Sequence, residues 1–169
     1  MSNPRPLDFD AIAEARRQWE AHGWDAPAAM AATTSIMRAQ QIILARAEEA
    51  LRPFDLTFAR YEALVLLAFS RNGSLPLGKM GDRLMLHPTS VTNIVDRLEQ
   101  QSLVNRVAHP TDRRTKLAEI TDDGRRIVGK ATEAVSATSF GMGALDDDEL
   151  DGLTAMLRKL RVAAGDFPG

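Results

Sequence analysis

The stretch that decides the fold is His87–Gln101, HPTSVTNIVDRLEQQ. Its apolar residues recur at i, i+3, i+4 and i+7, which is the spacing of one face of an amphipathic helix: Val91, Ile94, Val95 and Leu98. Pro88 suits the first position of such a helix, where no backbone donor is needed. The stretch therefore predicts a helix that begins sharply and presses one apolar stripe against a core.

The opposite face of this helix is polar. At 100° per residue it carries short hydrogen-bonding side chains and one guanidinium: Thr89, Asn93, Asp96, Arg97 and Gln100, with Ser90 and Thr92 on its flanks. Side chains of these types read the edges of bases in the major groove of DNA. Taken alone, however, the pattern also fits an ordinary solvated surface helix, and the residues that follow must decide between the two interpretations.

After Gln101 the pattern changes from helical to extended. Two short strands are predicted, Leu103–Ala108 and Lys116–Thr121, joined by a loop that contains Pro110, Asp112 and the pair Arg113-Arg114. A helix with a readable polar face followed by a hairpin with an arginine tip is the outline of a winged helix-turn-helix. In such a domain the helix enters the major groove and the wing reaches the DNA backbone or the minor groove.

Three short motifs around the wing make this outline more specific: L-V-x-R at 103–106, D-R-R at 112–114 and I-T-x-x-G at 120–124. Together they resemble the MarR family of bacterial transcriptional regulators, with one residue fewer than usual between the aspartate and the arginine pair. The resemblance covers about residues 51–130 by motif and the flanking helices by pattern. It implies a dimer formed by the helices at both chain ends and a ligand crevice between the winged domain and these dimerisation helices.

The flanking segments are predicted to be helical. Helices are expected over Leu7–Glu20, from Pro27 to about Arg52, from Leu56-Thr57 to about Ser70, over Leu77–Leu84, and after the two caps Thr121 and Asp146. The last helix repeats leucine at a/d spacing, at positions 150, 153, 157 and 160. A second copy of the chain would cover this seam, whereas a monomer would have to fold the seam on itself.

We therefore expect a mainly α chain with a small β-hairpin wing, divided into three parts. Residues 1–26 form an extra N-terminal helix, residues 27–55 and 121–169 form the dimerisation helices, and residues 56–120 form the winged helix-turn-helix domain. The cluster Trp19, His22 and Trp24 either packs the extra helix onto the body or forms the wall of an aromatic ligand site.

Composition limits the classes of function. The chain has 169 residues, no cysteine and a net charge of −2, although the segment Lys79–Arg126 holds nine basic and seven acidic residues. Neither a signal peptide nor a membrane-spanning run is present, which predicts a cytoplasmic protein. The three histidines, His22, His87 and His109, fall on unrelated elements. Catalysis, a metal site and a cofactor are therefore not expected.

The function predicted from these features is a homodimeric, sequence-specific regulator of transcription, a repressor that a small molecule releases from an inverted-repeat operator in double-stranded DNA. The residues predicted to contact DNA are Thr89, Ser90, Thr92, Asn93, Arg97, Arg113 and Arg114. The alternative is a winged-helix module that binds protein without reading DNA.

The family resemblance also implies the walls of the ligand crevice: Trp19, Met37, Phe58, Tyr61 and Glu62, with Trp24 as a further candidate. The N-terminal helix with its tryptophan, Glu62 and the wing arginines are similar to the urate-responsive subgroup of that family. That subgroup has an arginine directly after the T-N pair of the recognition helix, and this chain has Ile94 there. Without that guanidinium we expect a ligand that is less charged than urate.

Overall fold

The computed structural model of the chain describes residues 7–109, 111–112 and 115–168. Within them the chain is mainly helical, with a small antiparallel sheet, which confirms the predicted fold class. It divides into two compact units, Met1–Ala45 and Arg46–Gly169, and each is described here by itself.

The N-terminal unit begins with α1, Ala11–Ala21. The helix starts four residues later than predicted because Asp10 caps it: one carboxylate oxygen accepts hydrogen bonds from the backbone N–H of Ile12 and of Ala13. Phe9 therefore lies before the helix and is exposed. The aromatic cluster is real, since the Trp19 and Trp24 rings meet edge to face at 4.9 Å and the Trp19 indole N–H donates to the carbonyl of Asp25.

The second helix, α2, spans Pro27–Leu51, as predicted. Pro27 is its first residue, where the missing N–H costs nothing. Its last turn is buried at Ala47 and Leu51, and a short 3₁₀ turn, Arg52–Phe54, follows with Pro53 inside it. The proline thus ends the α-helix where the sequence indicated.

The C-terminal unit continues with three helices around one core: α3 (Phe58–Phe69), α4 (Leu77–Leu84) and α5 (Pro88–Gln100). The predicted stripe on α5 is confirmed, since Val91, Val95 and Leu98 are buried and Ile94 is half-buried. They pack in a cluster with apolar residues of the other elements, including Leu64, Leu67, Met80, Val104 and Val128. The core therefore fixes which face of α5 remains outside.

The turn between α4 and α5 lacks a glycine, and the structure shows how it is made without one. Met85 takes the left-handed conformation, with φ 55° and ψ 40°, and the N–H of Leu86 bonds to the carbonyl of Gly81 at 3.0 Å. A side-chain carbon at Gly81 would lie 3.1 Å from the carbonyl oxygen of Leu86. The glycine that a tight helix-turn-helix needs is thus inside α4, where the turn folds back against it.

The sheet has three strands, β1 (Ser74–Pro76), β2 (Val104–Ala108) and β3 (Lys116–Ile120), in the order β1-β3-β2. The hairpin of β2 and β3 was predicted, and its register pairs Val104 with Ile120 and Ala108 with Lys116. Strand β1 was not predicted, because three residues are too few to show an alternating pattern. Its pairing continues from a hydrogen bond of 2.8 Å between the N–H of Ile120 and the carbonyl of Gly73.

Two further helices complete the unit. The first, α6, spans Asp122–Ala137, and the hydroxyl of Thr121 caps it as predicted by accepting from the N–H of Gly124. The second, α7, spans Asp147–Ala163 and begins with a capping box between Asp146 and Glu149. Buried residues hold α6 in the core, whereas α7 has none.

The two glycines of α6 provide a test of this packing. A side-chain carbon at Gly124 would lie 2.2 Å from the carbonyl oxygen of Leu103, which is backbone and cannot move away cheaply. We expect Gly124→Ala to lower the free energy of unfolding by about 1 to 3 kcal/mol through overpacking. A carbon at Gly129 would meet nothing within 4 Å, so Gly129→Ala should raise the same free energy by about 0.5 to 1 kcal/mol.

Chemical denaturation of the two variants and the parent chain measures this difference. Equal effects of the two alanines, or a stable Gly124→Ala variant, would contradict the close contact between α6 and the residue that precedes β2.

Candidate nucleic-acid interface

The exposed face of α5 carries most of the polar residues that the sequence singled out on this helix, whereas Asp96 is half-buried beside β2. The five predicted DNA contacts there are exposed and lie on one helix opposite its buried stripe: Thr89, Ser90, Thr92, Asn93 and Arg97. The imidazole Nδ1 of His87 accepts a hydrogen bond of 3.3 Å from the N–H of Thr89 and caps the helix. Because the first turn is held by this cap and by Pro88, the early polar residues project from a defined helix start.

Two of these side chains have partners within α5. The hydroxyl of Thr92 donates to the carbonyl of Pro88 at 3.0 Å, so its oxygen can still accept from a ligand. The guanidinium of Arg97 donates to the side-chain oxygen of Gln100 at 3.2 Å. Arginine has five donors, so one such bond leaves Arg97 able to donate to a base or a phosphate.

A shallow polar groove of about 520 Å³ runs beside this face. It is lined by residues of α5, of α3 and of the turn before α3: Asp55, Thr57, Arg60, Asn93, Ile94, Arg97, Gln100 and Gln101. The Gln101 side chain links the end of α5 to the start of α3 across the groove. Its amide N–H group donates to the carbonyl and carboxylate of Asp55, and its oxygen accepts from Arg60. The sequence did not indicate Arg60, since nothing in its own helix shows that it meets the end of α5.

Arg106 on β2 had two candidate roles, a phosphate contact or a partner of a nearby acid, and the structure places it with the acids. Its guanidinium forms ion pairs with Asp96 and with Glu99, the latter at 2.8 Å, and donates to the backbone carbonyl of Thr92 at 3.3 Å. Burial alone would lower the pKa of Arg106, but the hydrogen bonds and charges of Asp96 and Glu99 outweigh it and raise that pKa. The wing strand is thus joined to α5 by a permanently charged side chain.

The described part of the wing is a structured turn. The N–H of His109 donates to the carbonyl of Thr115 at 3.2 Å, and its imidazole Nδ1 accepts from the N–H groups of Thr111 and Asp112. The hydroxyl of Thr115 donates to the carboxylate of Asp112 at 2.6 Å. The predicted tip arginines, Arg113 and Arg114, lie outside the described residues, and their contact with DNA remains a prediction.

A second cavity, of about 770 Å³, lies between α3 and α6 and brings together three of the predicted ligand residues, Phe58, Tyr61 and Glu62. Its other walls are mostly apolar: Val65, Leu66, Ala68, Phe69, Leu84, Arg125, Val128, Gly129, Thr132, Ser136 and Phe140. The hydroxyl of Thr132 donates to the carbonyl of Val128, and the Tyr61 hydroxyl, 3.1 Å away, therefore donates to Thr132. Trp19 and Met37 belong to the N-terminal unit, so their part in a ligand site remains a prediction.

The cavity contains one carboxyl group in an unusual setting. Glu62 is exposed at the surface, but the apolar wall keeps part of the water away from its carboxyl group, and this raises its pKa because loss of water disfavours the charged form. This carboxyl group therefore holds its proton more tightly than an ordinary glutamate does. In the protonated form it can donate a hydrogen bond as well as accept one.

The described residues hold no group of three or more His, Asp or Glu side chains with the arrangement of a metal site. Every buried side-chain nitrogen or oxygen among them has a hydrogen-bond partner. In this same part of the chain, none of the helices combines the length and the apolar character needed to cross a lipid bilayer.

Comparison with known proteins identifies the family. The MarR family model matches residues 56–116, which run from the residue before the cap of α3 to the start of β3. The uncharacterised HTH-type transcriptional regulator YhbI of Bacillus subtilis is 37% identical over 131 residues, covering 78% of this chain and 78% of YhbI.

Solved structures agree with this result. Sco5413, a MarR family transcriptional regulator from Streptomyces coelicolor, is 56% identical, with a TM-score of 0.77, and the match covers 83% of this chain and 98% of Sco5413. A mutant MarR from E. coli, solved in complex with operator DNA, shares the fold at 23% identity and a TM-score of 0.69, over 76% of this chain and 91% of that one. By its winged-helix fold, its polar α5 face and these similarities, the chain belongs to the MarR family of helix-turn-helix transcriptional regulators.

Proposed function

We propose that this regulator acts as a homodimeric repressor that reads an inverted-repeat operator in double-stranded DNA through α5 and leaves it when a small molecule binds. The observation that carries the proposal is the two-sided character of α5. One face is buried in the core, and the other presents Thr, Ser, Asn and Arg side chains to the outside, next to a β-hairpin wing.

Each predicted contact has a role suited to its chemistry. Asn93 and Arg97, whose amide and guanidinium can each make two hydrogen bonds to one base, read base edges in the major groove. Thr89, Ser90 and Thr92 bond phosphates and adjoining bases at the start of the helix. Arg113 and Arg114 hold the backbone or enter the minor groove from the wing. The mutant E. coli MarR solved with operator DNA, which shares the fold, is consistent with this arrangement.

The dimer is proposed from α7. None of its residues is buried. Leu150, Leu153 and Leu157 of the predicted seam are half-buried, while Leu160 of the seam and Met156 beside it are each 60% exposed. An apolar seam of this kind on a terminal helix is covered in a dimer, where knobs of one helix fit the holes of another. We therefore assign residues 27–55 and 121–169 to dimerisation, 56–120 to DNA binding and 1–26 to an additional helix.

The effector is proposed to bind in the cavity between α3 and α6. A volume of about 770 Å³ is of the size that takes a small organic molecule, and aromatic and aliphatic walls with a few polar groups are typical of such sites. The aromatic side chains of Phe58 and Tyr61, together with the carboxyl group of Glu62, whose pKa is raised, favour an aromatic ligand with at most a weak negative charge. We place the regulator in the cytoplasm and assign it no catalytic activity.

Selection of bound sequences from a pool of random duplexes tests the proposal. A two-fold dimer with two recognition helices should return an inverted repeat with half-sites about one helical turn apart, roughly 34–36 Å. The proposal is abandoned if no sequence is enriched and weak binding disappears as salt rises. That result would favour the protein-binding alternative.

Asn93 provides a test of base reading. Asn93→Ala should relax the base preference at one position in each half-site by about 1 to 3 kcal/mol, because the alanine cannot make the paired hydrogen bonds to adenine. The control Gln18→Ala removes an exposed helical amide from α1 and should leave the selected sequence unchanged. Repeating the selection with both variants measures this, and an unaltered preference for Asn93→Ala would assign the reading to another residue.

The seam of α7 provides a test of the dimer. Met156→Glu combined with Leu160→Lys places a favourable i, i+4 ion pair on the isolated helix but buries two charges in the proposed interface. Light scattering should show a dimer for the parent and a monomer for this variant. Asp151→Glu combined with Ala155→Lys puts the same pair on the other, exposed side of α7 and should remain dimeric. A monomeric parent, or a dimeric seam variant, would contradict the assignment.

The raised pKa of Glu62 predicts that the stability of the ligand-free chain depends on pH. Its pKa in the folded chain lies above the ordinary value of about 4.3, so ionisation costs stability as pH rises from the unfolded pKa through the folded one. Glu62→Gln, which cannot ionise, should therefore have a higher unfolding midpoint than the parent at pH 7 and an equal one below about pH 4. Thermal unfolding across this range measures the difference, and a gap that is larger at low pH would show that the sign is wrong.

A further inference from the structure

Arg106 makes more contacts between secondary-structure elements than a surface ion pair normally does. Its guanidinium reaches Asp96, Glu99 and the carbonyl of Thr92, all of them on α5. Its own backbone N–H donates to the second carboxylate oxygen of Glu99 at 3.1 Å. The main chain and the side chain of Arg106 are therefore both bound to α5, the helix whose exposed face is proposed to contact DNA bases.

The contacts constrain the geometry strongly because they are spread along the helix and include both backbones. Thr92, Asp96 and Glu99 span two turns of α5, so rotation or sliding of β2 along the helix would break at least one of them. The side chain of Arg106 is only 25% exposed, which places the cluster at the edge of the junction and not in open solvent. A planar guanidinium with fixed donor directions suits this arrangement better than a lysine ammonium would.

The same cluster matters for charge. Asp96 and Glu99 would place two negative charges on the helix that must approach DNA phosphates, and only Arg97 on α5 opposes them. Uncompensated carboxylates near phosphate slow and weaken association. The guanidinium lies directly against both of them and cancels one of the two charges.

We propose that Arg106 is a positioning residue for DNA recognition: it fixes the wing strand β2 at one angle to the reading helix α5 and masks the two carboxylates of that helix. The inference rests on the proposed function, since positioning matters only if α5 and the wing engage one duplex together. Arg106 itself need not touch the DNA.

Two variants of the full-length chain separate geometry from charge. Arg106→Gln removes the guanidinium and leaves two carboxylates exposed to the phosphates. The triple variant Arg106→Gln, Asp96→Asn, Glu99→Gln removes all three charges, so it has no repulsion but also no charged bridge. Affinity is measured by fluorescence anisotropy on the selected inverted repeat and on a random duplex of equal length, about 30 base pairs or three helical turns.

The two duplexes report on different effects. Arg106→Gln should bind both of them about tenfold or more weakly, because repulsion acts on any sequence. The triple variant should regain the parent's affinity for the random duplex or exceed it. Its ratio of selected to random affinity should nevertheless stay about tenfold below that of the parent, because wing and helix no longer meet the operator at one angle.

Controls keep a folding defect apart from the inference. Arg17→Gln removes the same charge from an exposed i, i+3 ion pair with Glu14 on α1 and should bind both duplexes as the parent does. Thermal unfolding monitors the fold of each variant. If Arg106→Gln does not fold, the double variant Asp96→Asn, Glu99→Gln keeps the arginine and should show the same loss of the affinity ratio.

Two results would overturn the inference while leaving the proposed function intact. One is an Arg106→Gln variant that binds both duplexes like the parent. The other is a neutral triple variant that recovers the full ratio, which would make Arg106 a charge mask without a positioning role. A parent chain that prefers no sequence would instead overturn the proposed function itself.

Discussion

The structure depends on the burial of one stripe of α5, made by Val91, Val95 and Leu98. Because these side chains are fully enclosed by α3, α4 and the sheet, the helix cannot rotate about its axis without exposing apolar surface, at about 25 cal/mol per Å². The polar residues on the other side therefore stand at fixed positions outside the core. A helix in a major groove must present its side chains in this rigid way, and here the apolar stripe provides the rigidity.

The charges around α5 also affect whether this helix can approach DNA. The chain is acidic overall, and α5 itself carries Asp96 and Glu99 next to the residues proposed to meet DNA. Arg106 on the neighbouring strand β2 offsets part of this negative charge by pairing with both carboxylates. Arg60 and Arg97 in the polar groove add positive charge near the end of the helix. Net charge was thus a poor guide to the partner, because the arrangement of a few charges around one helix decides what that helix can approach.

The sequence predicted the features that depend on local patterns of residues. They are the stripe of α5, the caps Thr121 and Asp146 and the two strands of the hairpin, and each was found. These features depend on residues that are close together in the chain. Other features depend on residues that only the fold brings together, and the sequence did not predict them. They are strand β1, the role of Gly81 in the turn, the contact of Arg60 with Gln101 and the role of Arg106. In the cavity, the resemblance indicated Phe58, Tyr61 and Glu62, while the α6 wall became apparent only in three dimensions.

An amide chemical-shift map of the isotope-labelled chain, recorded as duplex is added, tests most directly whether the outer face of α5 is the surface that contacts DNA. We expect the largest chemical-shift changes at the side-chain amide of Asn93 and at the backbone amides of residues 89–97, and unchanged shifts for the amides of α7. Changes that avoid α5 and cluster on another surface would contradict this expectation.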